Sequence, residues 1–102
     1  MIFVIATSVL KPGYRPAFIE AVKANYAKVR AEAGCISYTL TGDYDSGFPA
    51  QEFCGEDTCI FVECWQSIDH LKAHLAAPHM AEFKNKVKDM RISSSLKILT
   101  EC

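Results

Sequence analysis

The sequence predicts an α+β domain of ferredoxin-like topology, β-α-β-β-α-β, with an antiparallel sheet and both helices on one of its faces. Three observations carry this expectation. Strand and helix patterns alternate in that order along 102 residues, the length of one domain spanning 1–102. The strongest strand pattern, residues 58–66, is apolar on both of its sides. A two-layer fold leaves one sheet face bare, so such a strand calls for a second copy of the chain to cover it.

Residues 2–10 are β-rich and end at the turn Lys11-Pro12-Gly13. From Pro16 to Ala33 the period becomes helical: Phe18, Val22, Val29 and Ala33, with Tyr26 beside them, form one stripe, and Gly34 is a natural stop. The segment "CISYTLTGDY", 35–44, alternates again and places Ile36, Tyr38 and Leu40 on one face. Residues 45–57 contain Gly and Pro and read as a loop that either caps a pocket or reaches a partner. The strand "TCIFVECWQ" follows. Ser67 then suits a helix N-cap, and Ile68, Leu71 and Leu75 suit the buried stripe of a short helix that ends near Pro78. A second helical stripe runs Met80, Phe83, Val87 and Met90, so the second helix of the fold is broken in two. "SSLKILTEC" closes the chain as a strand with Leu96 and Ile98 on one face.

Composition narrows the function classes. The 11 basic and 12 acidic residues are interspersed, with a net charge of −1, so neither a nucleic-acid stripe nor a charged tail is expected. The apolar start "MIFVIATSVL" lacks a basic n-region and runs for only about ten residues, which suits a buried strand and not a signal peptide or membrane span. Five cysteines, an odd count with no secretory signal, suit reduced thiols in the cytoplasm. Cys54, Cys59 and Cys64 lack the paired spacing of a zinc knuckle.

Chemistry-bearing residues concentrate in 63–80. On a strand, Cys59, Phe61, Glu63 and Trp65 point one way, and Ile60, Val62 and Cys64 the other. The aliphatic set suits packing beneath helices, and the set with a carboxylate and an indole suits a cavity. The plainer alternative pairs Glu63 with a cross-strand base and leaves Trp65 as core. His70 and His74 are i, i+4 neighbours, but Leu71 stands where the familiar zinc motif has Glu, and only His79 or Glu63 offers a third ligand; no metal is expected. His74 is placed at the core edge, His70 in solvent, and His79 at a turn. A neutral imidazole beside a carboxylate can move protons near neutral pH. No GxGxxG, P-loop or GxSxG is present, so no nucleotide or flavin cofactor is expected.

The stretch "ECWQSIDHLKAHLAAPHMAEF" resembles antibiotic-biosynthesis-monooxygenase domains, in which an acidic residue and Trp end a strand and a helix carries "AH" followed by "PH". "AEAGCISY" is similar to that family's E-x-G-C-x-x-Y segment, and "FVIATSVLKPG" to its first strand and turn. The resemblance spans the chain and looks closest to the small bacterial quinol monooxygenase type. It implies a dimeric α/β-barrel, in which two sheets pack face to face, with a pocket between sheet and helices in each subunit. It also implies cofactor-independent oxidation of a hydroquinone or polyphenol by O2. In that scheme Trp65 stacks on the substrate ring, Glu63 or His74 takes the phenolic proton, and Phe61, Tyr38 and His79 line the substrate site. Phe61 and Leu71 stand where polyketide-tailoring members carry Asn and Tyr, and Ala6 and Asn85 where haem-degrading members carry Asn and His. Haem degradation is therefore disfavoured. Two other readings share the scaffold: a non-oxidative isomerase of a small carbonyl compound, and a non-catalytic dimeric ligand-binding module.

Overall fold

The computed structural model describes all 102 residues. Its elements are β1 (Ile2–Leu10), α1 (Arg15–Arg30), β2 (Cys35–Thr41), β3 (Thr58–Trp65), α2 (Ile68–Ala76), α3 (Pro78–Val87) and β4 (Arg91–Leu99). The strands form one sheet in the order β2-β3-β1-β4, and every neighbouring pair is antiparallel. This is the ferredoxin-like arrangement, with each helical connection crossing over one strand.

Register decides which residues share a face. Ile2, Val4, Ala6 and Ser8 of β1 stand opposite Trp65, Glu63, Phe61 and Cys59 of β3. Tyr38 and Leu40 pair with Glu63 and Phe61 from the other side. This face is the one the helices cover, and Val4, Ser8, Cys59, Phe61, Glu63, Trp65 and Tyr38 are all buried on it. Phe18, Val22 and Val29 of α1, Leu71 of α2, and Met80, Phe83 and Val87 of α3 close the layer from above. Cys59 therefore serves as a small buried hydrophobe, and burial pushes its thiol pKa up.

The set with Phe61 and Glu63 faces the interior as expected, but the aliphatic set lies on the other face from the one expected. The aliphatic set Ile60, Val62 and Cys64 does not lie beneath helices but on the open face, where Val62 is 44% exposed. Small aliphatic side chains fit either a helix layer or another sheet, so their size alone did not distinguish the two. Cys64 is buried there because Met1 folds over it, sulfur to sulfur at 3.7 Å.

Boundaries differ where local chemistry intervenes. α1 stops at Arg30, and Ala33 is an exposed turn residue. Gly34 comes after that turn with φ +79°, and a Cβ there would run into the His70 ring, so both conformation and space require glycine. A bulge between Cys35 and Ser37 throws Ile36 out of line, leaving it exposed, and β2 ends at Thr41. In α2, Ile68 and Leu75 are exposed, and the helix is seated instead by Leu71 and His74. Met90 lies beyond α3, and β4 begins at Arg91. Leu96 and Ile98 do share a face, but on an edge strand that the helices only partly cover.

Candidate functional site

An open cavity of about 170 Å³ lies between the sheet and the helices, lined among others by Tyr38, Phe61, Glu63, His74, Met80 and Phe83. Four of the six residues expected to form the site reach it: Glu63, His74, Phe61 and Tyr38. No residue of the 45–57 loop lines it.

His74 owes its position to two local features. Ser67 caps α2 by accepting the His70 amide N–H on Oγ at 3.3 Å, which fixes where the helix starts. Two turns on, His74 falls on the inner face of α2 and is 2% exposed. Its ring packs between Trp65, with centroids 4.6 Å apart, and Tyr38, at 5.6 Å. Nδ1 lies 2.7 Å from Glu32 Oε2, a contact that sets Nδ1 as the donor to the carboxylate. In a neutral ring with that tautomer Nε2 is the acceptor nitrogen. Nε2 has no protein partner, and His74 is among the residues that line the cavity.

Glu32 is the residue that sequence reasoning missed. It stands in the turn just past α1, where its amide donates to Val29 O at 3.0 Å and its carbonyl accepts from the Cys35 amide at 3.2 Å. His79 at the start of α3 also reaches it, Nε2 to Oε2 at 3.0 Å. The "AEAGC" segment contained Glu32, but nothing in its spacing connects it with helices more than forty residues away. Three possible ligand atoms, from Glu32, His74 and His79, lie within 4.8 Å of one another. The cluster thus joins His74 with His79 and Glu32; His70, the expected i, i+4 partner of His74, is not in it and lies with Nδ1 2.7 Å from Ser67 Oγ, and Glu63 is not in it either. The 2.7 and 3.0 Å contacts are those of two N–H···O bonds converging on one carboxylate oxygen. His79 itself does not line the cavity but faces a groove between α1 and α3.

Trp65 is placed differently from the expectation. It is 0% exposed and absent from the cavity wall, so its ring cannot stack on a ligand there. Its indole N–H donates to Glu63 Oε1 at 3.0 Å, and its face supports the His74 ring. Trp65 therefore packs behind two of the groups that reach the cavity, Glu63 and His74.

Glu63 is 6% exposed. Burial raises its pKa, partly opposed by the indole hydrogen bond and by His74. Burial, with Glu63 nearby, holds the Tyr38 phenol well above its ordinary range. The cavity thus presents an acceptor imidazole, a carboxyl that protonates readily, and a phenol O–H that stays protonated. Around them lie Phe61, Phe83 and Met80. Such a set can take a proton from a weak acid and hold the resulting anion in apolar surroundings.

Comparison with known proteins agrees with this fold. The sequence model of the family described as "Antibiotic biosynthesis monooxygenase" matches residues 1–86. The Escherichia coli (strain K12) protein named "Probable quinol monooxygenase YgiN" is 33% identical over 101 residues, covering 97% of this chain and 96% of that one. Among solved structures, PA3566 from Pseudomonas aeruginosa superposes with a TM-score of 0.80 at 24% identity, covering 99% of this chain and 93% of that one. A conserved protein from Methanosarcina mazei Go1 superposes with a TM-score of 0.84 at 19% identity, covering 99% and 92%.

Proposed function

Because the chain belongs to the antibiotic biosynthesis monooxygenase family, we propose that it is a monooxygenase that oxidises a single-ring hydroquinone with O2 in the Tyr38–Glu63–His74 cavity, without a resident cofactor. The observation that supports this most directly is the His74 imidazole, held by Glu32 through Nδ1 at the wall of a cavity that also presents Glu63 and Tyr38 beside Phe61, Met80 and Phe83. The size of the cavity supports the single ring: about 150 Å³ suffices for a benzene-sized guest.

In this reading His74 Nε2 takes a phenolic proton, and the Glu32 carboxylate stabilises the imidazolium that forms. The hydroquinone monoanion passes one electron to O2, giving a semiquinone and superoxide that recombine into a ring C–O bond. Cleavage of the O–O bond with loss of water leaves a hydroxyquinone. Overall, hydroquinone and O2 give hydroxyquinone and water; the substrate supplies the electrons, and one oxygen atom enters the ring. Tyr38 O–H donates to the developing oxyanion, and Glu63 accepts the second phenolic proton. His79, the second donor to Glu32, and Trp65, beneath His74, hold the base in place.

The active species is a homodimer in the cytoplasm. The open sheet face with Phe3, Ile5, Ile60, Val62 and Leu99 supports the first, and five unpaired thiols the second. The test is O2 uptake with hydroquinone in chelator-treated buffer. Uptake is expected to continue after chelation and to fall roughly 10²–10⁴-fold in His74→Gln. Product formation under strict anaerobiosis would instead support a non-oxidative isomerase.

A further inference from the structure

Arg91 opens β4, on the far edge strand from Tyr38 of β2, and lines the same cavity. Its guanidinium has five N–H donors and uses one in a protein contact, Nη1 to Ser8 Oγ at a long 3.4 Å. The only ion pairs in the molecule join His74 and His79 to Glu32, so Arg91 has no carboxylate partner. Lys84, also on the cavity wall, has none either. Phe18 and Phe83 flank the guanidinium, each ring centroid 5.9 Å from Cζ, and hold it against the wall. A half-buried guanidinium with unfilled donors is costly unless something anionic pairs with it, and the one carboxylate on this wall, Glu63, is bonded to the Trp65 indole and makes no ion pair with Arg91.

We propose that Arg91 is the receptor for an acidic substituent of the substrate, and that the cavity takes a single-ring hydroquinone bearing a carboxylate, a dihydroxybenzoate. The proposal rests on the reading of this cavity as the hydroquinone site and adds its polarity. The carboxylate lies on the guanidinium fork, a planar two-point match that an ammonium cannot reproduce. The ring lies against Phe61 and Phe83, and the hydroxyl groups point towards His74 and Glu63. Lys84 at the wall adds a second positive charge that draws the anion in. Neutral hydroquinone fits the same ring position but leaves Arg91 unpaired.

The test is calorimetric binding under anaerobic conditions, so that no turnover intervenes. The probes are 2,5-dihydroxybenzoate, its methyl ester and hydroquinone. The acid is expected to bind roughly tenfold or more tighter than the ester, since a charge-assisted contact separates them. In Arg91→Gln the acid-to-ester ratio falls to about one, and in Lys84→Gln it falls less, as expected for a more exposed charge. The exposed Lys84 variant keeps the test decisive should Arg91→Gln fold poorly. An acid that binds no better than its ester, or a preference unchanged in both variants, overturns the proposal. Hydroquinone turnover without acid preference removes only the carboxylate site. Acid preference without O2 uptake removes only the oxidation reading, and failure of all three probes to bind removes both.

Discussion

Glu63 and Trp65, joined by a hydrogen bond behind the cavity wall, can each be tested alone. Glu63 is a carboxyl whose folded-state pKa is raised above its ordinary 4.5 by burial. Its contribution to stability is therefore fully present below about pH 4.5 and is lost as pH rises through the raised value. Glu63→Gln keeps an oxygen acceptor for the indole and removes the buried charge. Its urea midpoint is expected to exceed that of the wild type near pH 8 and to converge with it near pH 4; a pH-independent difference would contradict the assignment. Trp65→Phe removes the donor to Glu63 and leaves a buried oxygen unpaired, a cost of about 1–3 kcal/mol before any loss of packing. Because Trp65 lies behind His74 and not in the cavity, kcat is expected to fall with KM little changed. A raised KM at constant kcat would return Trp65 to the substrate.

At the scale of elements, the periodicity of the chain carried most of the fold. All four strands, the break between α2 and α3 at Pro78, and the Ser67 cap were legible because each depends on residues within one or two turns of one another. Errors arose where tertiary packing overrides local pattern. Apolar Ile68 and Leu75 lost the inner face of α2 to polar His74, because Glu32 and the Trp65 ring supply the partners that make a buried imidazole tolerable. The faces of β3 could be separated from sequence but not assigned, since strand alternation says which residues go together and not which layer covers them. Glu32 and Arg91 were invisible as site residues: one lies in a turn and the other begins an edge strand, and only the crossover connections bring them near residues 63–80.

At the scale of the molecule, the open sheet face is the largest unfinished feature. Phe3 and Leu99 pair across β1 and β4, and Val62 sits opposite Ile5 across β1 and β3, so the apolar side chains form one continuous area. A charge there is expected to oppose sheet-to-sheet association. Val62→Glu should sediment near the 11.3 kDa of one chain, and the wild type near twice that mass. A monomeric wild type would contradict the paired sheets. No helix is long and apolar enough to cross a membrane. The most direct measurement of the central claim follows isotopically labelled O2 through a single incubation with hydroquinone in chelator-treated buffer. One labelled atom in the hydroxyquinone and the other in water, both lost in His74→Gln, is the result the proposed chemistry predicts. Oxidation to unlabelled quinone with the label recovered as hydrogen peroxide, or labelled product undiminished in His74→Gln, would contradict it.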